Sequence, residues 1–542
     1  MKLVTVSEMV AIEQEANAAG MTYEHMMENA GHGLAESIED LEIQSEERCI
    51  LGLVGPGNNG GDTLIGLSLL AAMGWHAEAY LVKRSRDHLV ERLEKAGGQA
   101  IEMQTDAGFG QLANALGSVQ IILDGLLGTG SRPPIRGDVA GVMAAVNGFL
   151  DEMDTMPYVI AVDCPSGVNC DSGEAADECI PADLTVTMAA VKQGLMRLPA
   201  YELAGDLRVV DIGLPPELPS LRSILTEVVE ENLVASILPS RSPSSHKGTF
   251  GTALIAAGSV NYTGAAFLAG SAAYRIGAGL VTLAVPQTLH AALAGQLPEA
   301  TWLLLPQELG VISREAADVL LDGIGSATAL LLGPGLGTEK STQDFVTSVV
   351  GHAGGTSRPS APMGFAAAAV NANSSSRSAL PGLVLDADGL KLLARIKDWP
   401  SKLASPAVLT PHPGEMSILT GIPKEEIQAD RTGIASRFAR EWGHVVVLKG
   451  AFTIIAAPQG QVCTVPVASA ALARAGTGDV LAGIIVGLRA QGVQPYEAAV
   501  AGAWIHAQAG LYAAKRLGTT ASVVAGDVLD SIADVLSDLP GA

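Results

Sequence analysis

Apolar runs of strand length recur along the first two fifths of the chain: "CILGLV", "EAYLV", "VQIILD", "YVIAVD", "LTVTM" and "LRVVD". Several are separated by stretches with helical spacing, and this alternation predicts a doubly wound parallel sheet over about residues 1–215. Ahead of it, Thr5 and Glu8 have capping-box spacing for a helix through "EMVAIEQEANAAG", and a second helix is expected through "EHMMENAGHGLAESI". Two stretches rich in Pro and Ser, "GLPPELPS" and "LPSRSPSSHKG", mark a linker region over 216–245. The alternation then restarts with "GTALIAAG", "LVTLAVP", "TWLLLP", "ALLLG", "LVLDAD", "AVLTP", "VVVLKG" and "FTIIAAP", predicting a second, larger α/β domain over 246–542. Within it, residues 351–380 are low in complexity and rich in Ala, Ser, Gly and Pro, which reads as a mobile insertion.

Charge and cysteine usage narrow the partners. With 33 Lys and Arg against 57 Asp and Glu, the net charge of -24 repels phosphate backbones and anionic lipid, so neither nucleic acid nor membrane is an expected partner. Five cysteines without finger-like spacing indicate neither a disulfide framework nor a zinc site, and they suit a reducing compartment. The first residues turn acidic before any long apolar run forms, and no later segment reads as a spanning helix, so a cytoplasmic protein is expected.

Three polar clusters follow strand ends in the first domain: "GPGNNGGD", "LDGLLGTGSRPPIRG" and "VDCPSGVNCDSG". Gly55, Gly57 and Gly60 satisfy the G-x-G-x-x-G spacing of a dinucleotide loop. A nicotinamide-binding unit also wants an acid at the end of the next strand, and here that strand runs into Lys83 and Arg84. The clusters converge on one crevice, where Asn59, Asp124 and Ser166 offer oxygens to one hard monovalent cation, potassium (K+) rather than zinc, with no fixed cation among them. Gly, Asn and Asp also make turns, which is the plainer reading of any one cluster.

The three clusters together, with "MMENAG" and "ADLTVTMAAVKQGL", resemble the YjeF N-terminal family, the NAD(P)H-hydrate epimerases. The resemblance implies that Asn58, Asn59, Gly60, Gly61 and Asp62, the loop Gly128, Thr129, Gly130, Ser131, Arg132, Pro133 and Pro134, and Asp163 contact the hydrated nucleotide. It also implies that Asn59, Asp124 and Ser166 hold potassium, and Asp163 is the candidate proton-transfer group. Thr63 stands where that family usually has Gly.

In the second domain, "ARAGTGDVLAGIIVGL" places Gly476, Thr477 and Gly478 just before an apolar helix, so free amides form an anion hole beside Asp479. An acid there accepts a hydroxyl proton while the amides stabilise a transferring phosphoryl group; the simpler reading is a helix-cap acid. Together with "HKG", "GPGLG", "LDADGL", "TPHPGE" and "VVVLKGAFT", the pattern resembles the ribokinase-like NAD(P)H-hydrate dehydratases across 246–515. That resemblance implies that Lys449, Gly450, Ala451, Phe452, Thr453 and Gly478 contact an adenine nucleotide, while Ala265, Gly335, His412 and Asp479 face the hydrate. Arg474 and Ala475 stand where the family often has Thr and Gly. The joint implication is a homo-oligomeric, bifunctional repair enzyme for NAD(P)HX that uses ADP with Mg2+. A vitamin-precursor kinase fused to a regulatory domain, or a non-enzymatic interaction module, is the alternative.

Overall fold

The computed structural model describes residues 1–41, 48–353, 380–403 and 406–540. The chain divides into two compact units, Met1–Val228 and Val229–Ala542.

In the first unit, seven parallel strands form one sheet: β1 (Cys49–Val54), β2 (His76–Leu81), β3 (Gln99–Glu102), β4 (Ile121–Gly125), β5 (Tyr158–Val162), β6 (Leu184–Met188) and β7 (Asp206–Val210). Their order is β3-β2-β1-β4-β5-β6-β7, so the winding direction reverses between β1 and β4. Both faces are buried, which is why the strands read as continuous apolar runs. Ile50, Val54, Ala79 and Leu123 enter one core, Leu51, Leu53, Tyr80 and Ile122 the other. Helix α1 (Val6–Ala18) starts at the predicted box, with Glu8 N–H donating to Thr5 Oγ1 at 3.1 Å and Thr5 N–H to Glu8 Oε2 at 2.7 Å. Helices α2 (Tyr23–Glu39) and α3 (Asn58–Ala72) cover the first face with Leu34, Ile38, Leu64 and Leu67.

The segment expected as a linker over 216–245 carries short elements and apolar anchors. It holds a helix at Pro219–Ser223, a short strand at Thr226–Val228 and a helix at Glu231–Ile237. Leu218 and Ile224 belong to the first unit's core, and Val229 and Val234 to the second's. The Pro and Ser content conceals this spaced set of apolar anchors.

The second unit carries β8 (Thr252–Ala256), β9 (Leu280–Pro286), β10 (Thr301–Leu305), β11 (Ala329–Leu332), β12 (Gly382–Leu385), β13 (Val408–Leu409), β14 (Val445–Leu448), β15 (Ile454–Ala456) and β16 (Val462–Thr464). They lie in the order β16-β15-β14-β13-β12-β11-β8-β9-β10, and only the β14–β15 and β15–β16 pairs are antiparallel. Helices α4 (Thr263–Arg275), α5 (Pro413–Thr420), α6 (Thr477–Ala490) and α7 (Pro495–Leu517) position the site residues. Residues 351–353 complete the helix Lys340–Ala353. The rest of the insertion expected over 351–380 lies, except for Leu380, outside the described residues. Among the described residues, no helix is long and apolar enough to cross a membrane.

Candidate active sites

The first site forms where β1 and β4 part. A Cβ on Gly55 would fall 1.8 Å from Leu126 O, and one on Gly60 would fall 2.2 Å from Gly55 O, so neither position admits a side chain. Gly57, the middle glycine, has open space around it. Arg84 fixes this loop: its Nη1 donates to Gly55 O at 3.1 Å and Gly57 O at 3.2 Å, while Nη2 binds Asp87 at 2.7 Å. A cation thus holds the loop near the place where a dinucleotide fold would carry its ribose-binding acid.

Asn59, Asp124 and Ser166 come together as expected. Asp124 is fully buried; Ser166 Oγ donates to its Oδ1 at 2.6 Å and Ser166 N–H to its Oδ2 at 2.7 Å. Leu127 bridges the set, its N–H donating to Ser166 Oγ at 2.9 Å and its carbonyl accepting from Asn59 Nδ2 at 2.9 Å. Asn59 Oδ1 is buried with no hydrogen-bond partner. Burial raises the Asp124 carboxyl above its ordinary range, against the hydrogen bonds from Ser166 and Leu126 N–H. An orphaned amide oxygen beside a buried carboxylate and a hydroxyl fits a hard monovalent cation. Thr63 is buried, and its Oγ1 donates to Asn59 O at 2.8 Å, so it supports the loop.

The remaining residues expected at this site divide by burial. Asn59, Gly60, Gly61, Asp62 and Ser131 are buried and Gly128, Thr129 and Pro133 half-buried, whereas Asn58, Gly130, Arg132 and Pro134 are exposed. Asp163 sits at a φ of 66° immediately after β5. Its Oδ1 accepts from Met188 N–H at 3.0 Å, Thr187 Oγ1 at 3.2 Å and Lys192 Nζ. Lys192, 1% exposed, corrects the expectation that the clusters hold no fixed cation. Burial raises the Asp62 carboxyl well above its ordinary range, Asp163 and Glu13 add to the shift, and Lys192 opposes it. Lys192 and Glu13 were not picked out from sequence, although Lys192 lies inside "ADLTVTMAAVKQGL".

The second site gathers at the ends of β12, β13 and β14. Lys449 Nζ binds Asp386 Oδ1 at 2.6 Å and lies 3.7 Å from Glu415 Oε2, while Thr410 Oγ1 donates to Asp386 Oδ1 at 2.7 Å. His412 caps α5, its Nδ1 accepting from Gly414 N–H at 2.9 Å and Glu415 N–H at 3.4 Å. That geometry leaves Nε2 as the proton-bearing nitrogen of the neutral ring, 3.3 Å from Glu415 Oε1. Burial lowers the imidazole below its ordinary value, Glu415 opposing and Lys449 and Lys391 assisting. Gly476 is the N-cap of helix α6, with a φ of 90° and no side-chain cap; Thr477 N–H donates to Arg474 O at 3.4 Å, and the amides of Gly478 and Asp479 have no partner among the described residues. Burial pushes the Asp479 carboxyl up to about 7; Asp386 and Asp388 add to this and Lys449 opposes it.

A cavity of about 440 Å³ is lined by Lys449, Gly450, Ala451, Thr453, Arg474 and Gly478, among others. Five of the six residues expected at an adenine nucleotide are therefore together; Phe452 is buried at a φ of 53° and does not line the cavity. His412 also lines this cavity. Ala265 and Gly335 meet each other, a Cβ on Gly335 falling 2.9 Å from that of Ala265. Arg474 donates to Ala521 O at 2.6 Å and its carbonyl accepts from Thr477 Oγ1 at 2.9 Å, so it braces the turn before α6. Asp386, Asp388 and Glu415, all within quoted motifs, were given no role from sequence.

Two α/β units, each with a polar site at its strand ends, define a two-domain α/β enzyme. Residues 23–194 match the family described as YjeF-related protein N-terminus, and residues 253–533 the family described as NAD(P)H-hydrate dehydratase. The bifunctional NAD(P)H-hydrate repair enzyme Nnr of Moorella thermoacetica is 37% identical over 99% of this chain and 97% of its own length. The Nnr of Escherichia coli is 31% identical over 97% and 92%. A crystal structure of ADP/ATP-dependent NAD(P)H-hydrate dehydratase from Bacillus subtilis, co-crystallised with ATP/Mg2+, covers 58% of this chain and 98% of its own at 30% identity and a TM-score of 0.47. The chain belongs to the family of bifunctional NAD(P)H-hydrate repair enzymes.

Proposed function

We propose that the chain returns hydrated nicotinamide nucleotides to NADH and NADPH in two reactions. The first unit interconverts the R and S epimers at C6 of the hydrated ring; the second dehydrates the S epimer with ADP as phosphoryl donor. The observation that carries this reading is Asp479, a carboxyl pushed up to about 7 at the amide-rich start of α6. Such a group takes a hydroxyl proton near neutral pH. As Asp479 takes that proton, the C6 oxygen attacks the terminal phosphorus of ADP, and the bond to AMP breaks. The amides of α6 and the ammonium of Lys449 stabilise the charge on the transferring group. Phosphate then leaves C6 as the N1 lone pair forms C6=N1, and loss of a proton from C5 restores the dihydronicotinamide.

Lys449, Gly450, Ala451, Thr453 and Gly478 would hold the nucleotide, with Ala265, Gly335, His412 and Asp479 toward the hydrate; Phe452 supports the nucleotide loop from behind. Among the described residues no group of three His, Cys, Asp or Glu side chains is placed to hold a metal ion, and the proposed magnesium ion would be carried mainly by phosphate and water. When bound, that ion neutralises phosphate charge. In the first unit, Asn59, Asp124 and Ser166 would hold potassium, which supplies a fixed positive charge near the substrate. Asn58 to Asp62, Gly128 to Pro134 and Asp163 would contact the hydrate, with Asp163 moving its proton. The five cysteines, none of them in a disulfide among the described residues, support a cytoplasmic setting, and a homo-oligomer is the form to be checked by gel filtration.

The test is incubation of the chain with mixed NADHX epimers, ADP, magnesium and potassium, following recovery of NADH absorbance. Full recovery from both epimers is expected. A stable phosphorylated product without NADH would replace the reading with a small-molecule kinase.

A further inference from the structure

Asp163 occupies left-handed backbone, which is strained for a non-glycine residue and persists where its surroundings over-determine it. Those surroundings act on one atom. Met188 N–H, Thr187 Oγ1 and Lys192 Nζ all donate to Oδ1, while Oδ2 takes none of these bonds. Lys192 is itself fixed: Nζ also donates to Thr187 Oγ1 at 3.0 Å and Met188 O at 3.0 Å. Its strand, Val191–Lys192, pairs in parallel with Leu3–Val4, immediately before α1, the helix that supplies Glu13. A lysine withdrawn almost wholly from water is costly unless its charge is used, and here it meets a cluster of acids.

We propose that Lys192 is the positioning residue of the epimerase site: it clamps Oδ1 of Asp163, so that Oδ2 is the oxygen that takes and returns the C6 hydroxyl proton. The inference rests on the epimerase reading given above and deepens it. Asp163 Oδ2 takes the hydroxyl proton, the O–H electron pair completes C6=O, and the C6–N1 bond breaks with its pair passing to N1. Asp62 donates a proton to N1. Rotation about C5–C6 presents the other face of the aldehyde, and the same steps reversed close the ring as the opposite epimer, with both acids restored. Asp62 is suited to donate because burial raises its carboxyl well above the ordinary range; the groups that face it are Asp163 after β5, Glu13 on α1 and Lys192. Of these, only Lys192 favours the ionised form, so removing the ammonium extends protonation of Asp62 to higher pH.

The experiment follows exchange of purified R epimer into S by chromatography, in potassium buffer, with the full chain and its Lys192→Met and Lys192→Arg variants. In Lys192→Met, kcat is expected to fall about 100-fold with KM changed by less than about threefold. The alkaline limb of its kcat/KM profile moves to higher pH, and Lys192→Arg recovers much of the lost kcat. Exchange at the original rate in Lys192→Met overturns the clamp. So does a loss of exchange with an unmoved limb that arginine does not restore, since that marks a purely structural lysine. Should Lys192→Met fail to fold, Thr187→Val carries the test by removing a hydroxyl that both binds Asp163 and holds the ammonium. Its kcat is then expected to fall while the fold persists, and an unchanged kcat overturns the clamp. Absence of exchange in the wild-type chain overturns the epimerase reading itself, a result distinct from exchange that survives loss of Lys192.

Discussion

Replacing Asp479 by Asn separates catalysis from stability in the second unit. No hydrogen bond from a described residue reaches the Asp479 carboxylate, so an isosteric amide disturbs little around it. The carboxyl moves from an ordinary value of 3.8 to about 7, chiefly through burial. That difference corresponds to about 4 kcal/mol of disfavoured charge, an upper figure given the partial exposure of the residue. A carboxyl whose folded pKa is raised loses stability as pH climbs from the unfolded value through the folded one, because only the unfolded chain ionises in that window. Asp479→Asn should therefore match the parent in stability below pH about 4, gain on it as pH rises, and keep a constant advantage above pH about 7. Its dehydration rate should meanwhile fall about 100- to 10,000-fold, the usual loss for a general base. In the parent, kcat/KM for dehydration should rise through pH about 7 and then level. Stopped assays with pure S epimer, ADP and magnesium supply the rate, and calorimetry from about pH 3 to about pH 8, the range the argument spans, supplies the stability. Full activity in the variant would reduce Asp479 to a helix-start acid. Loss of activity together with lower stability at the alkaline end would show a structural carboxylate, and either result refutes the reasoning.

Asp124→Ala should abolish the potassium dependence of epimer exchange, since it removes the buried carboxylate that both Ser166 donors serve; exchange measured across a potassium titration decides it. Gly55→Ala should lose epimerase activity while dehydration of pure S epimer continues, because its Cβ would lie 1.8 Å from Leu126 O and displace one of the two loops. Ala503→Phe should raise the KM for ADP with the KM for the hydrate unchanged, since Ala503 lines the 440 Å³ cavity and a ring there occupies space the nucleotide needs. Initial rates with each substrate varied in turn distinguish this from general damage.

Strands buried on both faces were legible almost to the residue: β1, β6 and β9 coincide with "CILGLV", "LTVTM" and "LVTLAVP". The pattern fails where burial is partial. β3, "QAIE", is an edge strand with a polar residue at each end and half-exposed apolar ones between, so no run marks it. β16 is three residues long and carries its register through pairing with β15. Asn59, Asp124 and Ser166 were readable together because each lies at or just past the end of a parallel strand, and parallel strands bring those ends to one edge. Lys192 was not, because its importance depends on a contact with Asp163 across 29 residues of chain and on a burial that nothing in its neighbours announces.

The glycine spacing at residues 55–60 shows how one local pattern serves a different chemistry. Its first and third glycines answer to protein backbone, Leu126 O and Gly55 O, so the spacing is required for two loops to close on each other. The middle glycine alone leaves room for a ligand. Arg84, holding two carbonyls of the loop, takes the region where a dinucleotide fold would recognise ribose with an acid. What then remains at the crevice is an unpaired amide oxygen on Asn59, a buried carboxylate on Asp124, and Asp163 held in strained backbone beside a buried ammonium. An orphaned oxygen, a buried carboxylate and a positioned acid suit a cation and proton movement, which the proposed epimerisation would use and hydride transfer would not.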